Sequence, residues 1–325
     1  MLTGYPPMVL LTRRAFLISL GSSALGLLAG ACSAPASAPS PTPLPMARPP
    51  AATPSAAGST AATGTPAQAA QPAGAFTPLI TNSELVVGKN RITLALLDPQ
   101  NQPITDAAVN LEFFQLSGNQ ATKQGEAKAQ FHYVDQPTKG VYAAWFTFPA
   151  AGNWGVQVTA QRPSQPARQA RTDLNVLAKG AAPMIGTPAP KSKNPILSDV
   201  GGDASKLCTN TPPCDLHNLR IADAIAAGKP TVVLFATPGY CTSRTCAPEL
   251  GVVLQLRDRY PEQASFIHIE IYKDPQNRVV ADTVNEWGLQ SEPWVFLVDR
   301  SGVISERYEG AAALDELEAG LKPLL

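Results

Sequence analysis

From Thr231 to Ala236 the chain reads Thr-Val-Val-Leu-Phe-Ala, six residues without a charge or an amide. A strand with one wet face alternates polar and apolar side chains. This run does not, so it must be covered on both sides, as the inner strands of α/β sheets are. Covering elements flank it. Leu216, Leu219, Ala222 and Ala226 recur at helical spacing, with Asp215 available as a cap and Gly228 and Pro230 as a stop. A second helical stretch runs through Leu250, Val253, Leu254 and Leu256 to Tyr260, a third over Val279–Trp287 and a fourth over Leu314–Leu321. Further strands are expected at Phe266–Tyr272, after Pro293, and at Val303–Tyr308, the last two joined by the turn Arg300-Ser301-Gly302.

The central run ends in a Pro-Gly turn and then Cys241-Thr-Ser-Arg-Thr-Cys246. Two cysteines five apart inside one helix would lie about 7.5 Å apart along its axis and about 140° around it, which separates their Cα atoms by roughly 8–9 Å. A disulfide spans about 4.4–6.8 Å. The pair closes only if Cys241 lies in the turn and the helix begins near Ser243 or Arg244. Pro248 fits the first turns of such a helix, where its missing N–H costs little. A thiolate at that position gains from free backbone amides and the positive end of the helix dipole, and Arg244 adds a charge. Cys241, nearer the turn, is the expected nucleophile, and Cys246, one turn inside, the resolving thiol.

The order helix, strand, cysteine turn, helix, strand, helix, proline-led strand, hairpin, helix resembles the thioredoxin fold over about residues 195–325. Cys241 stands at the position of that family's first active-site cysteine, and Pro293 at that of its cis-proline. The family has two residues between its cysteines where this chain has four. The resemblance implies thiol–disulfide exchange with protein thiols and disulfides, with Pro293 positioning the partner backbone. Glu292, just before it, would oppose Arg244 by disfavouring a nearby thiolate. No cofactor is implied.

Other readings stay open. Pro238 and Thr242 match the spacing of the peroxiredoxin motif, although Thr245 takes its cysteine position. Sco-type copper chaperones use two cysteines and a distant histidine, for which His217 and His268 are the domain's two candidates. A thioredoxin-fold adaptor with purely structural disulfides is the remaining alternative. Cys208 and Cys214 bracket Thr-Asn-Thr-Pro-Pro, and the simplest pairing makes them a structural disulfide, with a four-thiolate zinc site as the other use of the cysteines. His268, in mid-strand, reads as a structural histidine, and no metal ligand set is assigned.

Residues 79–178 follow another rule. Short alternating runs at 91–97, 109–116, 127–134, 141–148, 154–160 and 171–177 are separated by Gly, Pro and Asn, with no helical run between them. This pattern predicts an antiparallel sandwich. The stretch from Gly140 through Phe148-Pro-Ala-Ala-Gly-Asn-Trp154 resembles the last hairpin of bacterial immunoglobulin-like domains. Trp154 is expected between the sheets. The single histidine there, His132, reads as structural, and the domain's own ligand is unassigned.

Arg13-Arg14 before an uncharged stretch resembles a twin-arginine export signal, and Ala29-Gly30-Ala31-Cys32 resembles a lipoprotein cleavage site with Cys32 as the lipidated residue. Residues 33–78 hold 11 prolines and 15 alanines and one charge, Arg48. They cannot bury enough apolar surface to offset chain entropy and are expected to form a disordered tether. The expected plan is therefore multidomain. It comprises a signal (1–31), a lipidated cysteine and Pro/Ala-rich linker (32–78), an all-β immunoglobulin-like sandwich (79–178), a second linker (179–194) and an α/β thioredoxin-like domain (195–325). The protein would sit outside the cytoplasm, held to the cell membrane by lipid. With 25 basic and 25 acidic residues it offers no footprint for nucleic acid.

Overall fold

A computed structural model describes residues 75–134 and 140–325. The export signal, Arg13, Arg14, Cys32 and nearly all of the tether lie outside these residues. Among the described residues no helix is long and apolar enough to cross a membrane.

The first part is built from seven strands: β1 (Thr77–Ile80), β2 (Gly88–Leu97), β3 (Ala108–Ser117), β4 (Gln120–Tyr133), β5 (Gly140–Phe148), β6 (Gly152–Gln161) and β7 (Arg168–Val176). They pair in the order β1-β2-β5-β4-β3-β6-β7, all antiparallel. Strand β4 is longer than its sequence pattern suggests. Residues 120–129 pair with β3 and residues 130–133 with β5, so one strand passes from one layer to the other. A parallel bridge between Val86 and Leu177 brings the two ends together, leaving the sheet nearly closed.

Inward positions follow the period of two that strands impose. In β6, Trp154, Val156, Val158 and Ala160 are buried while their neighbours are more exposed. Trp154 is fully buried, its ring 5.0 Å from that of Phe148 and its indole N–H donating to the Ala150 carbonyl at 3.2 Å. It fills the core, as expected.

The second part contains α1 (Ile221–Ala226), β8 (Thr231–Ala236), α2 (Cys246–Arg259), β9 (Ser265–Glu270), the short hairpin β10 (Tyr272–Asp274) and β11 (Val279–Val280), α3 (Asp282–Glu286), β12 (Trp294–Val298), β13 (Ile304–Glu309) and α4 (Leu314–Leu321). Its sheet runs β13-β12-β8-β9, with β8 parallel to β9 and the other pairs antiparallel. This is a thioredoxin-like arrangement, and all six residues of β8 are buried. Val232 and Leu234 pack on one face with Leu250, Val253, Leu256, Leu317 and Leu321 of α2 and α4. Val233 and Phe235 pack on the other with Ile221 and Ile225 of α1, Val284 of α3 and Trp287 just after it.

Three expectations need correction. The helix expected over Val279–Trp287 is instead the short strand β11 followed by α3 over Asp282–Glu286. The helix read from Leu216 begins only at Ile221, after Arg220 rather than Asp215. Leu216 instead lies along the open edge of β9, where its carbonyl accepts the His268 N–H at 3.0 Å. An edge strand's unpaired N–H is an obligatory donor, and satisfying it outweighed the local helical spacing. The second linker is not free chain either. Gly186 N–H donates to the Ile304 carbonyl at 2.8 Å and Ala189 N–H to Gly302 at 2.9 Å, while Ala182, Ala189, Ser192 and Asn194 are buried. Its alanines and small polar residues pack against the sheet edge and Trp287, whose indole N–H donates to Ser192 Oγ at 2.9 Å.

The sandwich and the thioredoxin-like part meet through charged and aromatic side chains. Arg307 pairs with Glu84 at 3.0 Å, and both are almost fully buried. Ser83 N–H donates to Glu309 Oε1 at 2.8 Å, and Trp145 packs edge-on against Tyr308 at 5.8 Å. His132 is buried at this contact, with Nδ1 3.5 Å from Glu316 Oε2.

Candidate functional site

Strand β8 ends at Ala236 and hands the chain to the turn Thr237–Tyr240, closed by Tyr240 N–H donating to the Thr237 carbonyl at 3.1 Å. Cys241 follows in the turn, and α2 starts at Cys246 with Thr245 as its N-cap. The two cysteines are joined in a disulfide with Cα atoms 6.0 Å apart. The helix therefore begins later than Ser243 or Arg244, which brings the Cα atoms inside the range a disulfide spans.

The two sulfurs have unequal surroundings. Cys246 is fully buried, whereas Cys241 is partly exposed. Ser243 Oγ lies 3.1 Å from Cys241 Sγ and 2.7 Å from Thr245 Oγ1, a short relay of hydroxyls ending on the exposed sulfur. The sequence reading named Ser243 only as a place where the helix could begin. Arg244 is exposed and adopts φ +60°, closing the turn by donating its N–H to the Cys241 carbonyl at 3.3 Å. Glu292 is half-buried, and desolvation raises its pKa, eased by Arg278. Pro293 is buried after a cis peptide bond, and its carbonyl accepts the Gly310 N–H at 2.9 Å.

Cys208 and Cys214 do not form the expected disulfide. Both are free and buried, with their sulfurs 3.7 Å apart where a bond needs about 2.05 Å. Two histidines converge on them. His217 Nε2 lies 3.2 Å from Cys214 Sγ, and His268 Nδ1 lies 3.3 Å from Cys214 Sγ and 3.8 Å from Cys208 Sγ. The four ligand atoms all lie within 4.8 Å of one another. The sequence reading assigned no metal ligand set, read His268 as structural and kept His217 and His268 only as candidates in the copper-chaperone alternative; the structure instead assembles a set of four possible donors. Extending residues 214–217 along β9, rather than coiling them, carries Cys214 and His217 to His268.

Hydrogen bonding fixes the electrostatics of this cluster. His268 Nε2 faces the Ala236 carbonyl at 3.1 Å. A carbonyl only accepts, so Nε2 carries the proton and a neutral His268 turns a lone pair at Nδ1 toward the sulfurs. The hydrogen bond between the sulfurs, with His217 and His268 beside it, lowers the Cys208 pKa. The same bond, with burial, pushes the Cys214 thiol up. The backbone N–H of Cys214 also donates to Cys208 Sγ at 3.4 Å.

The cluster loop abuts the disulfide turn. Gly239 N–H donates to Thr209 Oγ1 at 3.0 Å, and Thr209 donates through both N–H and hydroxyl to Glu270 Oε2, at 2.9 and 2.8 Å. Cys241 packs against the same apolar cluster that holds Cys208, Cys214 and Cys246.

The YtkA-like family model matches residues 72–159, a stretch that takes in β1 to most of β6. No curated protein sequence matches the chain. A thioredoxin-family thiol:disulfide interchange protein from Chlorobium tepidum is 16% identical, covering 44% of this chain and 99% of its own, with a TM-score of 0.31. StoA from Bacillus subtilis is 17% identical, covering 35% of this chain and 93% of its own at a TM-score of 0.26. A DUF4426 family protein from Pseudomonas aeruginosa PAO1 is 14% identical, covering 29% and 77% at 0.22.

Proposed function

We propose that the protein is a thiol–disulfide oxidoreductase that works outside the cytoplasm through Cys241 and Cys246. The observation that carries this reading is the asymmetry of the disulfide. One sulfur is partly exposed in a turn and hydrogen-bonded to Ser243, and the other is fully buried at the first residue of α2. Exchange needs an accessible sulfur to meet the partner and a protected one to end the mixed disulfide.

In the reducing direction the Cys241 thiolate attacks one sulfur of a partner disulfide. A Cys241–partner bond forms and the partner's second sulfur leaves as a thiolate. Cys246 then attacks Cys241 Sγ, closing the Cys241–Cys246 bond and expelling the first partner sulfur. Two electrons have passed to the partner. The amides at the start of α2 and the Ser243 hydroxyl stabilise negative charge on the sulfur, and the exposed Arg244 adds to the local positive potential. Glu292, kept toward its neutral form by burial, opposes that charge less than an ionised carboxylate would. Pro293 is assigned to partner positioning.

The export signal read at Arg13-Arg14 and the lipidation site read at Cys32 would hold this activity on the outer side of the membrane. Protein thiols and disulfides there are the assigned partners. A redox titration of the chain, read by alkylation and peptide mapping of each cysteine, tests the reading. A Cys241–Cys246 couple between roughly −120 and −270 mV lies among working oxidoreductases. A bond resisting reduction below about −300 mV would make it structural and leave the domain an adaptor.

A further inference from the structure

We propose that Cys208, Cys214, His217 and His268 bind one zinc ion in a closed, four-coordinate structural site. The inference stands apart from the exchange reaction and does not need Cys241 or Cys246 to be active.

The spacing of the donors is the first argument. Zinc binds thiolate at about 2.3 Å and imidazole nitrogen at about 2.0–2.1 Å, almost always in a tetrahedron in structural sites. Those bond lengths require about 3.8 Å between two sulfurs and about 3.6 Å between a sulfur and a nitrogen. The sulfurs here stand 3.7 Å apart, three of the four sulfur–nitrogen separations are 3.2, 3.3 and 3.8 Å, and every remaining donor pair lies within 4.8 Å. Small shifts of side chains would place all four donors around one point.

Charge and burial are the second. Each of the four residues is at least nine-tenths buried. Two thiolates neutralise a divalent ion, so the filled site holds no net charge away from water, and its cost of burial is small. Binding releases the thiol protons to solvent as the two Zn–S bonds form. An S₂N₂ tetrahedron favours zinc over the oxygen-seeking divalent ions.

Outer contacts are the third. The Ala236 carbonyl orients His268 with Nδ1 inward, the kind of support that metal-bound histidines require. The Cys214 N–H already donates to Cys208 Sγ, as backbone amides do to a charged sulfur. His217 and His268 also line a cleft of about 300 Å³ with Lys193, Leu207 and Glu270, which gives the ion a way in. The site would pin the loop of residues 208–214 to β9, and that loop carries Thr209, the hydrogen-bond partner of Gly239.

The test is metal analysis of the full chain, made without a histidine tag, reduced, loaded with zinc chloride and freed of excess ion. One zinc per chain is expected, lowering alkylation of Cys208 and Cys214. C208S or H217A should bring zinc close to zero, and C241S/C246S should leave it at one. Because C208S could fail to fold, cobalt(II) is added to the unsubstituted chain as well. An intense tetrahedral spectrum with thiolate charge-transfer bands supports the site without any substitution. Two results would overturn it: no zinc retained with both thiols reactive, or a Cys208–Cys214 disulfide in protein isolated without reductant.

Discussion

Arg91 of the sandwich and Glu316 of α4 face each other in a two-pronged ion pair, Nε to Oε1 at 2.8 Å and Nη2 to Oε2 at 2.7 Å. Both side chains are buried, and Arg91 also donates to the Ala311 carbonyl at 3.0 Å. A guanidinium drawn this far from water needs every one of these acceptors. The pair makes the two parts of the protein depend on each other.

Removing one partner should therefore cost far more than a surface ion pair would. Arg91→Ala strands the Glu316 carboxylate and is expected to destabilise the protein by about 3–5 kcal/mol. Replacing both, as in Arg91→Met with Glu316→Leu, should restore much of that loss. Urea unfolding of the two variants checks the pair, and equal losses for both would show that the contact is not energetically coupled.

Glu249, in the first turn of α2, titrates in an unusual window. It is completely buried, its Oε2 accepts the Ala312 N–H at 2.8 Å, and its Oε1 has no partner among the described residues. Desolvation pushes its pKa up to about 8, against a lowering by the Ala312 N–H and Arg91. The folded state therefore holds a proton that the unfolded state has given up. Stability is unaffected below about pH 4.5, falls as pH rises from there to about 8, and levels off beyond. The slope inside the window is at most about 1.4 kcal/mol per pH unit. Glu249→Gln should remove that slope and be the more stable protein at pH 8. Thermal melts across pH 4–9 for both proteins check it.

At the disulfide turn, the two cysteines should fail in different ways. Cys241→Ser should lower exchange with a model disulfide to the uncatalysed background. Cys246→Ser should still attack but hold the partner in a mixed disulfide, visible as an adduct by mass spectrometry. Trapping by Cys241→Ser instead would exchange the roles of the two sulfurs.

Gly239 offers a probe of the contact between the turn and the cluster loop. A Cβ there would sit 2.9 Å from the Thr209 carbonyl oxygen and 3.0 Å from its Cβ, and backbone does not yield cheaply. Gly239→Ala should cost about 1–3 kcal/mol by overpacking. It should also change the alkylation rate of reduced Cys241, measured against the unsubstituted chain. An unchanged rate would show that the loop does not hold the turn.

Much of this architecture could be read in advance, for physical reasons that differ by residue. Thr231–Ala236 had no alternative to a doubly covered strand, and Leu314–Leu321 forms a helix with the expected bounds. Helix geometry allowed Cys241 to close on Cys246 without compelling it, on the condition that Cys241 lay in the turn rather than in the helix. Leu216 and Leu219 misled because their spacing is helical, while a long-range acceptor was wanted at the edge of β9. That misreading also hid the cluster, since a helix over residues 216–226 would have left His217 unrelated to His268. Cys214-Asp-Leu-His217 was the available signal, a thiol and an imidazole three apart, and it carries weight only once the segment is extended.

The packed segment that joins the two parts has a geometric consequence. Gly186 and Ala189 are hydrogen-bonded to the β13 hairpin, and Glu84, paired with Arg307, also accepts the Ala181 N–H near the start of the segment. The junction is therefore packed, and swinging the disulfide turn away from the sandwich would have to break these contacts. A protein docked on the sandwich would meet Cys241 at one fixed bearing and distance, so its dimensions, rather than the length of any hinge, would decide whether its own sulfurs arrive within reach.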